Sequence, residues 1–300
     1  MATPTSPLRY PGGKLCLLDL ASSILRLNGL ERGHYAEPFA GGCGLALALL
    51  YGGHVADIHI NDIDPLIWSF WKSVLDTPDD LIEKINETPV TVEEWRTQRE
   101  IQLHPESHNT LSLGFAAFFL NRTSRSGIIS GSGIIGGYNQ TGNYKIDCRY
   151  NIDNLSHRIR RIGKYRDRIH LYNMDAQNFI KAMGTELPED TFFCIDPPYY
   201  KKGAELYMSF YTNDDHAGLA ADVIALDRPW IVTYDNVPEI QDLYKERRQY
   251  QFDINYSVQT KRVGTEILIA SKDLLLPKHL TDRLVNAPEP CSATFYKWRP

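Results

Sequence analysis

Short apolar runs alternating with helical patterns open this chain, a long helical stretch follows, and the alternation then resumes to near the end. Tyr35 to Phe39 reads as a strand running into the turn Ala40-Gly41-Gly42-Cys43-Gly44, with a helix from Leu45 to about Tyr51. A second strand, Val55 to Ile60, ends in Asn61-Asp62 and leads to a helix from about Pro65 to Leu75. From Pro78 to Leu120 the period is helical: Leu81, Ile82 and Ile85 share a face, and Leu111 to Leu120 is an apolar helix. Strands return at Ile169 to Tyr172, Thr191 to Ile195, Trp230 to Tyr234, Phe252 to Ser257 and Glu266 to Ser271. Helices lie between them at Ala176 to Met183, His216 to Leu226 and Ile240 to Tyr244. Strands alternating with helices predict an α/β fold with a mostly parallel sheet covered on both faces. The helical stretch, with the Gly/Ser-rich segment from Ser124 to Gly142, then reads as an insertion near 76–165, leaving 1–75 and 166–300 as the sheet domain.

Composition changes this picture little. The chain has 300 residues, 43% apolar and 23% charged, which suits one large core or a core with a lobe. No apolar stretch reaches the roughly 20 residues of a membrane helix, and the N-terminus lacks a signal-peptide pattern. A cytoplasmic location is expected, with no membrane partner. The five cysteines are scattered without metal or redox spacing and are expected to be reduced thiols, with no metal site. A net charge of -5 argues against a uniformly basic surface, yet Lys145 to Arg168 holds eight basic residues against three Asp. That run suits nucleic-acid phosphates, or equally the solvated face of a helix.

Candidate chemistry sits where strands end. Glu37, Pro38, Phe39, Ala40, Gly41 and Gly42 lie between the first strand and its helix, where an open sheet leaves its ligand crevice and glycines allow close approach. Their spacing is not the dinucleotide fingerprint G-x-G-x-x-G. Asp62, at the tip of the second strand, is placed to accept hydrogen bonds from both hydroxyls of a ribose, or to cap the helix at Pro65. The strand Phe192 to Ile195 runs straight into Asp196-Pro197-Pro198-Tyr199. Asp196 and the Pro197 carbonyl make two acceptors aimed at one amino group, Pro198 holds the turn, and Tyr199 offers a face on which a base stacks. An exocyclic amine is a poor nucleophile because its lone pair is delocalised. Two acceptors drawing its hydrogens out of plane localise that pair toward an electrophilic methyl, with no covalent nucleophile or metal required.

In order along the chain these elements resemble the Dam-type (D12 class) DNA adenine N6-methyltransferases. Leu8-Arg9-Tyr10-Pro11-Gly12-Gly13-Lys14 is similar to that family's opening motif, Glu37 to Gly44 to its cofactor turn, Asp62 to its ribose-binding acid, and Asp196 to Tyr199 to its catalytic loop. Phe118 to Thr123 is similar to the entry of its DNA-recognition loop. The resemblance implies S-adenosylmethionine as methyl donor, with Tyr10 and Lys14 lining the pocket and Asp175 contacting the cofactor's adenine, although Asp175 also suits a helix N-cap. It implies a Rossmann-like, seven-stranded methyltransferase fold with a target-recognition lobe inserted before the catalytic strand, acting on double-stranded DNA as a monomer or weak dimer. Arg9, Asn121, Arg122, Arg125, Tyr138, Lys145 and Arg149 are then expected to contact DNA. The loop 121–151, where Arg and Tyr are interleaved with Gly, departs from the best-known members, so their GATC site does not carry over. A bacterial, phage or mobile-element origin fits, and a restriction partner is left open.

Rival readings are methyl transfer to cytosine N4 or to adenine in RNA, a silent cofactor- or DNA-binding regulator, and a nicotinamide oxidoreductase. The intact Asp196 to Tyr199 disfavours the regulator, and the absent dinucleotide glycines disfavour the oxidoreductase.

Overall fold

The computed structural model describes residues 5–9, 13–201, 211–256 and 262–286. A turn of 3-10 helix at Lys14–Leu17 leads into α1 (Leu18–Leu27), then β1 (His34–Glu37), α2 (Gly44–Tyr51), β2 (Asp57–Asn61) and α3 (Pro65–Asp76). Four helices follow without a strand: α4 (Pro78–Glu87), α5 (Val92–Leu103), α6 (Thr110–Thr123) and α7 (Ile152–Gly163). The alternation resumes with β3 (Ile169–Tyr172), α8 (Ala176–Glu186), β4 (Phe192–Ile195), α9 (Asn213–Ala225), β5 (Trp230–Asp235), α10 (Pro238–Leu243), β6 (Arg248–Tyr256), β7 (Arg262–Ala270), α11 (Lys278–Thr281) and β8 (Leu284–Asn286).

The strands form one eight-stranded sheet in the order β3-β2-β1-β4-β5-β7-β6-β8. The first five in that order pair in parallel, whereas β7 is antiparallel to β5 and β6, and β8 is antiparallel to β6. This corrects the expected seven-stranded, mostly parallel sheet to a mixed sheet of eight. The extra strand, β8, is three residues long and its Leu284 and Val285 are exposed, so no buried apolar run announces it. The helix α1 was also not anticipated; its buried stripe is Ala21, Ile24 and Leu25.

Apolar side chains fill both faces of the sheet. One face packs on α8 and α9 through Phe179, Ile180, Leu219 and Val223. On the other, Tyr35, Ile58 and Ile60 meet α2 and α3, and the same cluster continues into α4 to α7 through Leu81, Phe118, Leu155 and Ile159. The inserted helices therefore rest on the core of the sheet. On α7 Arg160 and Arg161 are exposed while Leu155, Ser156, Ile159 and Ile162 turn in, as amphipathic spacing requires.

Close contact of α6 with α3 depends on Gly114. A Cβ there would lie 2.6 Å from both the Ser69 carbonyl oxygen and the Ser73 hydroxyl. The backbone of α3 cannot yield cheaply, so Gly114→Ala is expected to lower stability by about 2 kcal/mol despite alanine's better helix propensity. Urea denaturation measures this, and an unchanged midpoint would refute the close packing.

Candidate active site

The strand order reverses between β1 and β4: the chain moves outward from β1 to β2 and β3, then returns to lay β4 on the other side of β1. Open sheets leave a ligand crevice at such a switch point, beyond the carboxyl ends of the strands. Glu37 closes β1 and Asp196 follows β4, so the two acids flank that crevice.

The turn after β1 is fixed by backbone geometry. Gly41 and Cys43 have φ of 45° and 51°, in the left-handed region. Trp71 Nε1 donates to the Gly41 carbonyl at 2.9 Å, while the Gly41 N–H donates to Asp62 Oδ2 at 2.9 Å. The other oxygen of Asp62 accepts from the Asp64 N–H at 3.0 Å. Each carboxylate oxygen has two lone pairs, so Asp62 keeps capacity for a further donor on each side. Capping of α3 falls to Asp64, whose Oδ1 accepts from the Leu66 N–H at 2.8 Å. Asn61, fully buried, ties the strand tips together by donating to the Pro38 and Met174 carbonyls at 3.0 Å each. Beside Asp62 the apolar side chain of Ile63 is 49% exposed, an unusual position for an isoleucine and one that sequence pattern did not single out.

On the other side of the crevice a buried ion cluster forms. Lys14 is 7% exposed, and its Nζ lies 3.1 Å from Asp196 Oδ1 and 3.2 Å from Glu266 Oε2. Glu266, on β7 opposite Asp235 of β5, is 1% exposed. Its Oε1 accepts from the Tyr199 hydroxyl at 2.8 Å, and the Lys14 ammonium stands 5.5 Å from the Tyr199 ring centroid. Thr233 Oγ1 on β5 donates to Asp196 Oδ1 at 2.8 Å. Asp235 accepts from the N–H groups of Tyr200 and Lys201 at 2.9 and 3.1 Å, holding the chain beyond Tyr199. Thus the structure brings Lys14, Asp196 and Tyr199 together, and Glu266, Thr233 and Asp235 join them. Glu266 had one available signal, an acid inside the apolar strand run Glu266 to Ala270.

Burial dominates the titration of these acids. It pushes Glu37 up to about 8, against a hydrogen bond from the Tyr35 hydroxyl at 2.8 Å, with nearby Asp196 adding to the rise. Asp62 is pushed up to about 7 by burial and then by Asp64. Asp196 is raised to about 6 by burial, with Lys14 opposing and Glu266 reinforcing the rise. A crevice lined by several hard-to-ionise carboxylates suits a ligand bearing positive charge, and the acceptor set around Asp62 suits hydroxyls. S-adenosylmethionine carries a sulfonium, an ammonium and a ribose, so these residues fit it.

Asp175 caps α8, with Oδ1 accepting from the N–H groups of Gln177 and Asn178 at 3.0 and 3.2 Å. Tyr10 lies outside the described residues. Several positions expected to face DNA need correction. Asn121 is fully buried and spends its amide on Arg9 and Gly127: its Oδ1 accepts from the Arg9 N–H, and its Nδ2 donates to both carbonyls, each at 2.7 Å. It clamps the N-terminal segment to the loop and has no atom for DNA. Arg122 is 9% exposed, and burial, then Arg9, Arg158 and Arg149, lower its guanidinium to about 9. Lys145 is exposed, but its Nζ staples the loop by donating to the Gln140 and Gly142 carbonyls at 2.6 and 3.2 Å. Arg125, Arg149 and Tyr138 are exposed, as is Tyr144 at 66%. Part of the basic run is engaged by the protein itself: Arg158 donates to the Ser6 carbonyl, Arg161 covers the Tyr51 ring at 3.9 Å, and Arg168 donates to the Val55 and Ala56 carbonyls. Those last carbonyls precede β2, at the end of the sheet opposite the crevice.

The fold is a Rossmann-like open α/β sheet with a crevice at the β1/β4 switch point and the Asp196 loop beside it. The chain belongs to the D12 class N6 adenine-specific DNA methyltransferases, whose family model matches residues 10–262. Membership implies S-adenosylmethionine-dependent methyl transfer to an amino group. No curated protein matches the chain. Among solved structures, it is similar to a Pyrococcus horikoshii protein described as a candidate RNA methyltransferase, at 11% identity and TM-score 0.39, covering 88% of this chain and 86% of that one. An rRNA methyltransferase from Streptomyces viridochromogenes aligns at 12% identity and TM-score 0.35, covering 90% and 88%.

Glu37 yields a prediction about stability. The unfolded chain ionises this acid near 4.5 and the folded protein near 8. Its stabilising contribution is therefore fully present below about pH 4.5 and is lost as pH rises through 8. Glu37→Gln keeps an acceptor for Tyr35 without the charge. Its unfolding free energy, relative to the parent protein, is expected to rise between pH 5 and 9 by a few kcal/mol, since each pH step of one between the two ionisations contributes roughly 1.4 kcal/mol. Parallel stability curves across that range would contradict the buried, protonated state.

Proposed function

We propose that this chain transfers the methyl group of S-adenosylmethionine to N6 of an adenine turned out of duplex DNA. The observation that carries the proposal is the Lys14–Asp196–Glu266 cluster with Tyr199 standing over it at the mouth of the crevice. In this reading residues 37–42, Asp62 and Lys14 hold the cofactor, with the free lone pairs of Asp62 on the ribose hydroxyls and Ile63 covering a face of its base. When bound, the cofactor supplies an electrophilic methyl carbon.

Tyr199 then stacks the target base, recovering part of the few kcal/mol that unstacking costs. Asp196 and the Pro197 carbonyl accept the two N6 hydrogens and bring the lone pair out of conjugation. Asp196 also stands ready to take the proton that N6 must shed once methylated. The helices and loop in 76–165 form the target-recognition lobe, with exposed Arg125, Tyr138, Tyr144 and Arg149 of the 121–151 loop toward the duplex. Arg9 flanks them, and the buried Arg122 sits beneath it as a source of positive potential.

Supplying a labelled methyl donor with duplex DNA, denatured DNA or RNA, followed by nucleoside mass spectrometry, tests this directly. N6-methyladenine in duplex DNA is expected. Methylation confined to RNA or to cytosine would overturn the substrate, and no methylation of any polymer would overturn the activity. Asp196→Ala should cost on the order of 10²–10³ in turnover with the fold retained, since Lys14 keeps Glu266 as a counter-ion. Phosphate contacts release counterions, so Arg149→Ala is expected to reduce the slope of log affinity against log salt by roughly 0.9. An unchanged slope would remove Arg149 from the DNA interface.

A further inference from the structure

Glu266 has no part in the reading above beyond neutralising Lys14, yet its geometry links both halves of the site. It lies on β7, far along the chain from the catalytic loop, and is almost wholly buried at the crevice edge. Its two oxygens reach two different groups. Oε1 takes the Tyr199 hydroxyl at 2.8 Å, and both oxygens lie within 3.3 Å of the Lys14 ammonium. The same ammonium is 3.1 Å from Asp196 Oδ1. One cation is thus divided between the partly exposed Asp196 carboxylate and the buried Glu266 carboxylate, and the second also holds the ring that the target base would stack on.

We propose that Glu266 is a positioning residue for methyl transfer, drawing Lys14 away from Asp196 so that Asp196 stays a strong hydrogen-bond acceptor, and pinning Tyr199 at its stacking angle. This inference rests on the function proposed above. Without Glu266, the ammonium would lean more strongly on Asp196 and compete with the substrate amine for its oxygens. A carboxylate tightly held by a buried ammonium is a weaker base and a poorer acceptor. The hydroxyl bond matters separately, because a ring with a free hydroxyl pivots about its χ angles while one anchored at both ends does not.

Among the described residues, the charged and titratable groups around Asp196 are Lys14 and Cys16 from the N-terminal turn, Glu37 from β1, Cys194 from β4, Tyr234 from β5 and Glu266 from β7. Of these, Lys14 and Glu266 act most strongly on Asp196 and in opposite directions: the ammonium lowers its proton affinity and Glu266 raises it. Two substitutions therefore move Asp196 in opposite senses. Glu266→Gln removes the competing carboxylate and lowers the titration of Asp196. Tyr199→Phe removes a hydrogen bond from Glu266, strengthens its hold on Lys14 and raises it.

The test uses the whole chain and two readouts. In carboxyl ¹³C NMR of the free protein, with Asp196 assigned through Asp196→Asn, Asp196 should titrate lower by at least about one pH unit in Glu266→Gln and higher in Tyr199→Phe. In the pH dependence of kcat/KM for methyl transfer, the acid limb of Glu266→Gln should move down by about the same interval. Its kcat at pH 7.5 should fall tenfold or more, with the cofactor KM changed less than twofold. An unmoved Asp196 titration in both variants overturns the division of Lys14. A moved titration with an unmoved acid limb overturns its part in turnover, and a fall confined to KM does the same. If the parent protein methylates no nucleic acid while the titrations move as stated, the functional reading falls and the ion cluster stands. Should Glu266→Gln fail to fold, the upward movement in Tyr199→Phe decides alone.

Discussion

Burying the Lys14 ammonium constrains this molecule more than any other interaction. An isolated ion of this kind costs several kcal/mol to desolvate, and the cost is offset only where carboxylates are held at contact distance. Asp196 and Glu266 meet that condition, and Glu266 lies 252 positions along the chain from Lys14. The N-terminal segment, the end of β4 and the start of the β5/β7 pairing must therefore all be in place together. Asn121 adds a second lock by clamping the Arg9 backbone to the loop at Gly127. The site is consequently coupled to the closure of the whole fold, and its geometry is set by strands and a buried helix end rather than by exposed loops.

The same electrostatics explain why the crevice wants a cationic ligand. Glu37, Asp62 and Asp196 all resist ionisation because burial strips their hydration. A positively charged ligand favours their ionised forms, so folding without ligand stores a strain that binding relieves. Hydrogen bonds temper this strain without removing it: Tyr35 on Glu37, the Gly41 and Asp64 N–H groups on Asp62, Thr233 on Asp196. A carboxylate oxygen has two lone pairs, so these bonds do not exhaust the acceptor capacity of the three acids.

Contiguous chemistry was legible in the sequence, and distant chemistry was not. The unit from Tyr35 to Leu75 and the strand running into Asp196 could be read because period, turn and functional group lie side by side. Lys14 entered only through the resemblance to a family, because nothing in a Gly-Gly-Lys turn says that the lysine folds inward. Glu266 showed in the sequence only as an acid in an apolar strand run, because its meaning comes from Lys14 and Tyr199, which only the tertiary fold brings near. The errors follow the same logic. Asn121 and Arg122 look like surface residues by type, but both fall on the inward face at the end of α6, where they serve the loop and N-terminal segment. Three arginines of the basic run likewise meet backbone carbonyls or an aromatic ring, and residue type alone does not distinguish these from phosphate partners.

The loop that would face the duplex is built on a different principle from the crevice. Its shape is held by bonds to backbone atoms: Gln140 Nε2 donates to the Ile135 and Gly137 carbonyls, Gln140 Oε1 accepts from the Ile146 N–H, and the Arg125 N–H donates to the Gly133 carbonyl. Gly136, at φ of 83°, lies so close to the Tyr144 carbonyl that a Cβ there would stand 2.7 Å from it. On this scaffold, fastened through its backbone, Arg125, Tyr138, Tyr144 and Arg149 are exposed, with Tyr138 resting edge-on against Trp95 and Arg149 over the Tyr144 ring. None of those side chains is among the groups that fix the environment of Asp196, which are Lys14, Thr233 and Glu266. Under the function proposed above, such a separation would let one reacting group serve different target sequences, with recognition carried by positions that the core does not specify.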